Sequence, residues 1–166
     1  MKRLLAIVIV LIFFIGCAQN VATTPILNNI SFIANISYGD SEYVADVLIT
    51  DDALNLNVIA PNELKGLTLK LDKNSVKAKF KGIPIDLDAD SLPKVAVYQV
   101  MVGVLNDAKQ KTAVFDDDNC KVSGDVDGYK YTLIFSPSGL PIELEVEELD
   151  LKMKFINVTV KEGVLE

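Results

Sequence analysis

Residues 67–81 have the sequence LTLKLDKNSVKAKFK, in which apolar and polar side chains alternate on both sides of a polar break. Leu67, Leu69 and Leu71 fall on one face of the first run. Strict alternation of this kind is typical of a strand with one buried and one hydrated face. The break, residues 72–75, is rich in turn-forming residues. This stretch predicts an antiparallel hairpin, and therefore a fold built on a β-sheet.

The same alternation extends outward from the hairpin over most of the chain. Short connections between such runs favour antiparallel neighbours, and a large twisted open sheet curls. The sequence therefore predicts an α+β, mainly β fold: a curved antiparallel sheet of about eight or nine strands that forms an incomplete barrel. Besides the hairpin, the candidate strands lie near residues 30–38, 42–50, 53–60, 128–136, 141–148 and 149–160.

One segment departs from the alternation and predicts a single helix near residues 92–110. Asp90 and Ser91 are suited to cap its start, and Pro93 is favourable in a first helical turn. Apolar residues then recur at helical spacing, although several valines mildly oppose a helix. Because the apolar surface of this helix is broad, we expect it to cover the concave face of the sheet.

The N-terminus has the three parts of a bacterial secretory signal. Lys2 and Arg3 precede an apolar run over residues 4–15, and Gly16 stands before Cys17. The run of about twelve apolar residues is shorter than the roughly 20 that a membrane-spanning helix needs. Its last two residues with Gly16 and Cys17, FIGC, resemble the lipobox of bacterial lipoproteins, in which the cysteine receives a diacylglyceryl group.

We therefore expect a lipoprotein signal peptide at residues 1–16, a lipidated Cys17 with a tether at residues 17–28, and a single β-rich domain at residues 29–166. Two acyl chains are what stable anchoring requires. The expected location is extracytoplasmic, on the inner or the outer membrane. An ordinary signal peptide with an unmodified cysteine is the alternative.

Removal of the signal would take away two of the 16 basic residues and none of the 23 acidic ones, which leaves a net charge of −9. Such acidity disfavours nucleic-acid binding, which depends on cationic neutralisation of phosphates. The remaining chain has no Arg, His or Trp, so it lacks the usual proton carrier near neutral pH. With Cys17 lipidated, Cys120 is a lone thiol and the core must hold the fold without a disulfide.

Two acidic clusters are candidates for binding calcium, the one cofactor that suits this composition. Residues 86–90 alternate as D-x-D-x-D, but the glycine and the glutamate that complete an EF-hand loop are missing. Asp116, Asp117 and Asp118 form a denser run, which a solvated turn between strands explains as well. We expect no metal or other cofactor, and these three aspartates are weak candidates.

The residue patterns do not predict catalysis. A nucleophile needs a base to accept its proton, and histidine is absent. The turn-like segment 136–139 lacks the G-x-S-x-G pattern of hydrolases. Glu143, Glu145 and Glu147 fall on the hydrated face of a predicted strand, and Cys120 stands beside a turn. The chain is therefore expected not to be an enzyme.

Apolar residues make up 50% of the chain. A fully packed core would use them, but a curved sheet with a helix across its mouth would also leave a cleft able to hold an acyl chain. The candidate groove residues are Val97, Val100, Met101, Val104 and Leu105 of the helix, and Phe80, Leu133, Phe135, Leu144 and Val146 of the sheet.

Segments along residues 30–158 carry a resemblance to a known superfamily. They are SFIANI at 31–36, NVIAP at 57–61, LTL at 67–69, IPIDLD at 83–88 and GLP at 139–141. In their order they resemble the LolA/LolB-like lipoprotein carriers and receptors. The resemblance implies an incomplete barrel, closed by helices, with a cavity for acyl chains or a docking face. This chain lacks the carriers' long first helix and cavity arginine, which favours a fixed relative over a shuttle.

Together these observations predict a membrane-anchored, non-enzymatic lipoprotein that binds a lipid or other hydrophobic ligand between curved sheet and helix. The expected partners are the membrane, through Cys17, and a lipid or a lipidated protein. One alternative is a protein-interaction or envelope-assembly factor with a filled core. Another is a calcium-binding module.

Overall fold

The computed structural model describes residues 24–51, 53–72, 75–85, 93–116 and 118–161. These ranges contain eleven strands, the helix α1 (Pro93–Ala108) and a short 3-10 turn at Glu147–Leu149. The N-terminal strands are β1 (Ile30–Tyr38), β2 (Ser41–Ile49), β3 (Ala53–Ala60), β4 (Leu67–Asp72), β5 (Ser75–Phe80) and β6 (Ile83–Ile85). The C-terminal strands are β7 (Val114–Asp116), β8 (Asn119–Val126), β9 (Tyr129–Phe135), β10 (Pro141–Val146) and β11 (Leu151–Val160).

The described strands form one antiparallel sheet in the order β6-β5-β4-β3-β2-β1-β11-β10-β9-β8-β7. Each half is a simple meander, and the first strand pairs with the last one at the centre. Helix α1 connects β6 to β7, which are opposite edges, so the chain crosses one face of the sheet there. The mainly β fold with one helix near residues 92–110 is confirmed.

The expected number of strands, about eight or nine, is wrong, because the described sheet has 11. Two of the unexpected strands, β6 and β7, have three residues each, too few to show a period of two. The third, β8, begins with the alternating residues Cys120 and Val122 but continues through Gly124 and Asp125, which carry no apolar signal. Two of these three strands form the sheet edges.

Apolar residues form continuous rows across the concave face of the sheet, because cross-strand partners share a face. One row runs over five neighbouring strands, from Leu133 and Leu144 through Met153 and Ile36 to Tyr43. The hydrophobic core lies between this face and α1. Because α1 packs on β8 and β9 while Met101 faces residues of β1 to β4 across a space, the sheet must curl around the helix.

Several predictions about the N-terminal region lie outside the described residues. They are the signal peptide at 1–16 and the lipidation of Cys17, and both stay predictions. Pro25 and Leu27, which belong to the expected tether, are buried. The Ile26 amide also donates to the Gly139 carbonyl at 2.7 Å, so the packed fold begins before residue 28. The described part of the chain has no helix with the length and hydropathy to traverse a membrane.

Candidate hydrophobic ligand site

Helix α1 packs closely on strand β8 because two glycines remove side chains from the interface. A Cβ atom on Gly103 of the helix would lie 2.6 Å from Cγ1 of Val126. A Cβ atom on Gly124 would lie 2.5 Å from Asp107 Oδ2 and 2.6 Å from Cε1 of Tyr131. Each approach is shorter than real Cβ contacts, so a side chain at either position would displace these neighbours. We call these five residues the helix seat.

Within the helix seat, a hydrogen bond joins the helix to the sheet. The Tyr131 hydroxyl donates to Asp107 Oδ2 at 2.7 Å, and Lys111 forms an ion pair with the same oxygen at 3.3 Å. Burial of the phenol raises the pKa of Tyr131, and the bond to Asp107 raises it further. The helix is therefore held to the β8–β9 half of the sheet both by packing and by a hydrogen bond.

On its other side, α1 leaves a space over strands β1 to β4. An apolar pocket of about 90 Å³ lies there, bounded on the helix side by Met101. Its described lining consists of aliphatic, thioether and tyrosine side chains. They are Ile36, Tyr38, Tyr43, Ala45, Leu56, Val58, Leu64, Leu67, Leu69, Met101 and Met153.

Small side chains in one row of the sheet create the space for the apolar pocket. Ala45 of β2 pairs with Ala34 on one side and Val58 on the other, so this row has little volume. Met101 and Met153 border the same space from the helix and from β11. Because methionine has several accessible rotamers, the pocket is able to widen by side-chain rotation while the backbone stays in place.

A wider cleft of about 290 Å³ lies between the C-terminal half of α1 and strands β2 to β4. Its floor is apolar and its mouth is polar, so we call it the rimmed cleft. The lining residues are Ile49, Thr50, Asp51, Ala53, Leu54, Leu71, Val102, Leu105, Asn106 and Lys109.

Asp51 and Lys109 are the charged residues of the described rim. The Lys109 ammonium donates to Oδ1 of Asn28 and, at 3.4 Å, to Oδ1 of Asn106. Asn29 Nδ2 donates to Asp51 Oδ2 at 3.3 Å. Partial burial lowers the pKa of Lys109, while the Asp51 carboxylate opposes this by raising it. The mouth therefore presents one charge of each sign above an apolar floor.

The apolar pocket and the rimmed cleft follow one another along the same strands. Leu56 pairs with Leu69 in the pocket, and Leu54 pairs with Leu71 in the cleft. The two leucine pairs are two residues apart, or about 7 Å along the strand. The two spaces are therefore neighbours between α1 and the β3–β4 ladder, and we call them together the groove.

A third depression, of about 380 Å³, lies on the convex face. Lys152, Lys154 and Glu42 border it, with residues 35–37 of β1 and 43–44 of β2. Glu145 forms an ion pair with Lys152 at 2.7 Å nearby, and this hydrogen-bonded pairing raises the pKa of Lys152. Since charged and polar side chains in contact with water make up most of its border, we do not regard it as a built ligand site.

The predicted groove residues separate into four groups. Met101 lines the apolar pocket and Leu105 lines the rimmed cleft. Phe80 is half-buried on β5, where it pairs with Leu67. The side chain of Val97 lies outside the described part of the molecule. The remaining residues are buried in the packed core, namely Val100, Val104, Leu133, Phe135, Leu144 and Val146.

Most residues of the apolar pocket were not among those predicted from sequence. Tyr38 and Tyr43 flank the β1–β2 turn, and Leu64 lies in the turn between β3 and β4. These residues lie near strand ends or in a turn, where sequence alone does not predict a buried site. The curl of the sheet places them near the helix. The informative signal in the sequence is small residues at inward positions, Ala34 and Ala45, which mark the row with missing volume.

The acidic residues do not converge on a metal site within the described ranges. Asp116 and Asp118 lie at the β7–β8 turn and are exposed, while Asp117 and residues 86–90 lie outside those ranges. Cys120 is fully buried on the core face of β8. The weak candidates Asp116 and Asp118 therefore gain no support from the described geometry, and Asp117 stays untested.

Comparison with solved structures finds similarities of low sequence identity, two of which follow. No protein-family profile matches the chain, and no curated protein is similar to it in sequence. An uncharacterized conserved protein from Thermus thermophilus aligns over 88% of this chain and 83% of its own, with a TM-score of 0.49 and 11% identity. A LolA superfamily protein from Nitrosomonas europaea aligns over 81% of this chain and 86% of its own, with a TM-score of 0.37 and 10% identity.

Proposed function

We propose that the chain is a non-enzymatic, extracytoplasmic lipoprotein that binds an acyl chain in the groove between α1 and strands β1 to β4. The observation that carries this proposal is the apolar pocket, whose eleven described lining residues offer only apolar and tyrosine side chains. An isolated space of this kind costs stability unless something apolar fills it. A hydrophobic ligand would supply the missing contacts.

The dimensions of the groove favour a narrow ligand. Sites for drug-sized molecules are about 300–1,000 Å³, whereas the apolar pocket is about 90 Å³ and the rimmed cleft about 290 Å³. A single acyl chain is the common hydrophobic metabolite that fits a long, thin space. Met101 and Met153 are suited to adapt to it, because their side chains repack easily.

Photo-crosslinking of the intact lipoprotein in its own membrane tests the proposal. Cells are fed a fatty acid that carries a diazirine, irradiated, and the adducts on the purified full chain are mapped by peptide mass spectrometry. We expect adducts on the peptides that contain Met101 and Met153. Ala45→Phe fills the pocket and should remove them, while Val44→Phe adds the same ring on the opposite face of β2 and should keep them. Adducts restricted to other surfaces, or unaffected by Ala45→Phe, would refute acyl binding in the pocket.

The anchor is a separate part of the proposal and has its own test. We infer that Cys17 carries the diacylglyceryl group, since it follows Gly16 and an apolar segment. Cells labelled with radioactive palmitate should yield a labelled chain. Cys17→Ser should abolish the label, and Cys120→Ser should retain it, because Cys120 is buried in the core. Label that survives in the Cys17 variant would disprove lipidation at this residue.

A second candidate function is assembly with a protein partner through the sheet edges. The edge strands β6 and β7 expose large apolar side chains, with Ile83 70% and Val114 68% accessible. Exposed apolar edges are suited to accept a partner's strand. A photoreactive amino acid at position 83 should then form protein adducts in cells, whereas the same group at the exposed position Lys79, inside the sheet, should not. Equal adducts at both positions would count against edge pairing.

A further inference from the structure

The polar mouth of the rimmed cleft constrains the head group of the ligand. This inference rests on the proposed function, because it assumes that an acyl chain occupies the groove. An acyl chain that enters from the cleft must leave its head group among Asp51, Asn106 and Lys109. These residues surround the wider end of the groove, and the rest of the cleft lining is apolar except for Thr50.

The distance from this mouth to the apolar pocket suits an extended hydrocarbon chain better than a compact molecule. Lys109 and Met101 are eight residues apart on the line of α1, or about 12 Å. Between them Leu105 and the Leu54–Leu71 pair form the floor. A linear hydrocarbon that starts at Lys109 would therefore pass one leucine pair before it reached the pocket beneath Met101.

The two charges at the mouth decide the class of head group. A purely anionic head group would be attracted by Lys109 but repelled by the carboxylate of Asp51. A purely cationic head group would be attracted by Asp51 but repelled by Lys109. The chain as a whole is strongly acidic, with a net charge of −7, which adds to the repulsion of an anion. A head that carries both charges satisfies both residues.

We propose that the rimmed cleft binds a single-chain amphiphile with a zwitterionic head group, whose anionic group lies at Lys109 and whose cationic group lies at Asp51. The carboxamide oxygens of Asn28 and Asn106, which accept hydrogen bonds from Lys109, hold its ammonium at the rim. Asn29 Nδ2 donates a hydrogen bond to the Asp51 carboxylate and so holds it at the rim. A lysophospholipid with a phosphoethanolamine head has the required chemistry.

Four photoreactive probes with the same diazirine-bearing chain test this assignment. They are a lysophosphatidylethanolamine, an alkyl phosphate, an alkyl trimethylammonium and an uncharged alkyl maltoside. Each is added to the full lipidated chain in nanodiscs, and the crosslinking yield on the peptide that contains Met101 is measured. Each probe is compared only with itself across variants, so that differences in membrane partition cancel.

Removing the charge of Lys109 and removing that of Asp51 should change the crosslinking yields of the anionic and cationic probes in opposite directions. Lys109→Gln should lower the yield of the zwitterion and of the phosphate about tenfold, and should raise that of the cation. Asp51→Asn should lower the zwitterion and the cation about tenfold, and should raise the phosphate. The maltoside should respond to neither change. Lys79→Gln and Asp46→Asn, which remove charges from exposed residues outside the cleft lining, serve as matched controls and should leave all four probes unchanged.

The outcomes separate this inference from the proposed function. If all four probes label the Met101 peptide and no variant changes their ratios, the groove binds acyl chains but the head-group assignment is wrong. If the phosphate alone responds to Lys109→Gln and Asp51→Asn has no effect, the ligand is anionic and the zwitterion is excluded. If the Met101 peptide is labelled by none of them, acyl binding itself fails.

Discussion

The two sides of helix α1 meet the sheet in different ways. On the β8–β9 side, Gly103 and Gly124 bring the backbones together, and Tyr131 is hydrogen-bonded to Asp107. On the β1–β4 side, the apolar pocket and the rimmed cleft separate the helix from the strands. One edge of the helix is therefore fixed to the sheet, and the other edge borders open spaces.

This difference indicates that the two sides of the core have different roles. The packed side sets the position of the helix, so the open side does not have to contribute to that position. Space can then persist next to α1 without loss of the fold, because the helix seat holds the helix in place. Substitutions on the two sides should accordingly have different consequences.

The largest expected loss of stability comes from replacing a leucine by alanine. The loss should differ between the two sides of α1. Leu133 is fully buried in the packed core, and Leu69 borders the apolar pocket. Leu133→Ala should lower the free energy of unfolding by about 4 kcal/mol, since it leaves a sealed cavity, and Leu69→Ala by about 2 kcal/mol. Urea unfolding of the full chain measures both. Equal losses would show that the open side is packed as tightly as the other.

Closing the space left by Gly124 should have the next largest effect. Gly124→Val places a branched side chain where the Asp107 carboxylate and the Tyr131 ring lie, and should cost about 3 kcal/mol through overpacking. Ser123→Val is the control, because its side chain points to the exposed face of the same strand. A stable Gly124→Val chain whose helix stays in position would rule out the helix seat as we describe it.

Removal of the Tyr131 hydroxyl should have a smaller effect that depends on pH. Tyr131→Phe deletes the bond to Asp107 and should cost about 1 kcal/mol at neutral pH. The raised pKa of Tyr131 means that the folded chain retains this proton after an unfolded chain has lost it, from about pH 10 upward. The bond's contribution is complete below pH 10 and declines as the pH rises further.

Unfolding midpoints at pH 9 and pH 11 measure this dependence. The original chain should lose more stability between these values than Tyr131→Phe does, with Tyr129→Phe as the control for loss of a tyrosine that makes no such bond. Identical losses in all three chains would mean that Tyr131 does not keep its proton on folding.

The smallest effect is expected on the convex face. Lys152→Gln breaks the ion pair with Glu145, whose partners are both in contact with water. Surface pairs of this kind contribute little, so the unfolding midpoint should not change within the error of the measurement. A clear loss, absent in the control Lys154→Gln, would show that the convex face takes part in holding the sheet.

The alternating strands were predictable because each carries its own signal. β1 and β3 occupy the residues that the pattern predicts, 30–38 and 53–60. β6 and β7 were missed, since three residues cannot display a period and Ile83 and Val114 are exposed apolar residues that a pattern places inside. Hydrogen bonding to longer neighbours defines these short strands.

The candidate site was less predictable than the fold. The sequence indicated that α1 would face the concave surface, and Met101 and Leu105 do border the groove. It could not indicate which half of the sheet the helix would touch, since that depends on Gly103 and Gly124 meeting their partners across the interface. The charged mouth was missed for the same reason, because Asp51 and Lys109 are distant in sequence.

The pairing of β1 with β11 joins the two ends of the described chain. Ile30 lies opposite Val160, and the Lys161 amide donates to the Asn29 carbonyl at 2.6 Å. Contacts between residues about 130 positions apart form late, because closing so long a loop costs entropy before any contact compensates. We expect the central strand pair to assemble only after synthesis of the C-terminus, so the sheet is not closed at its centre until the whole chain is available.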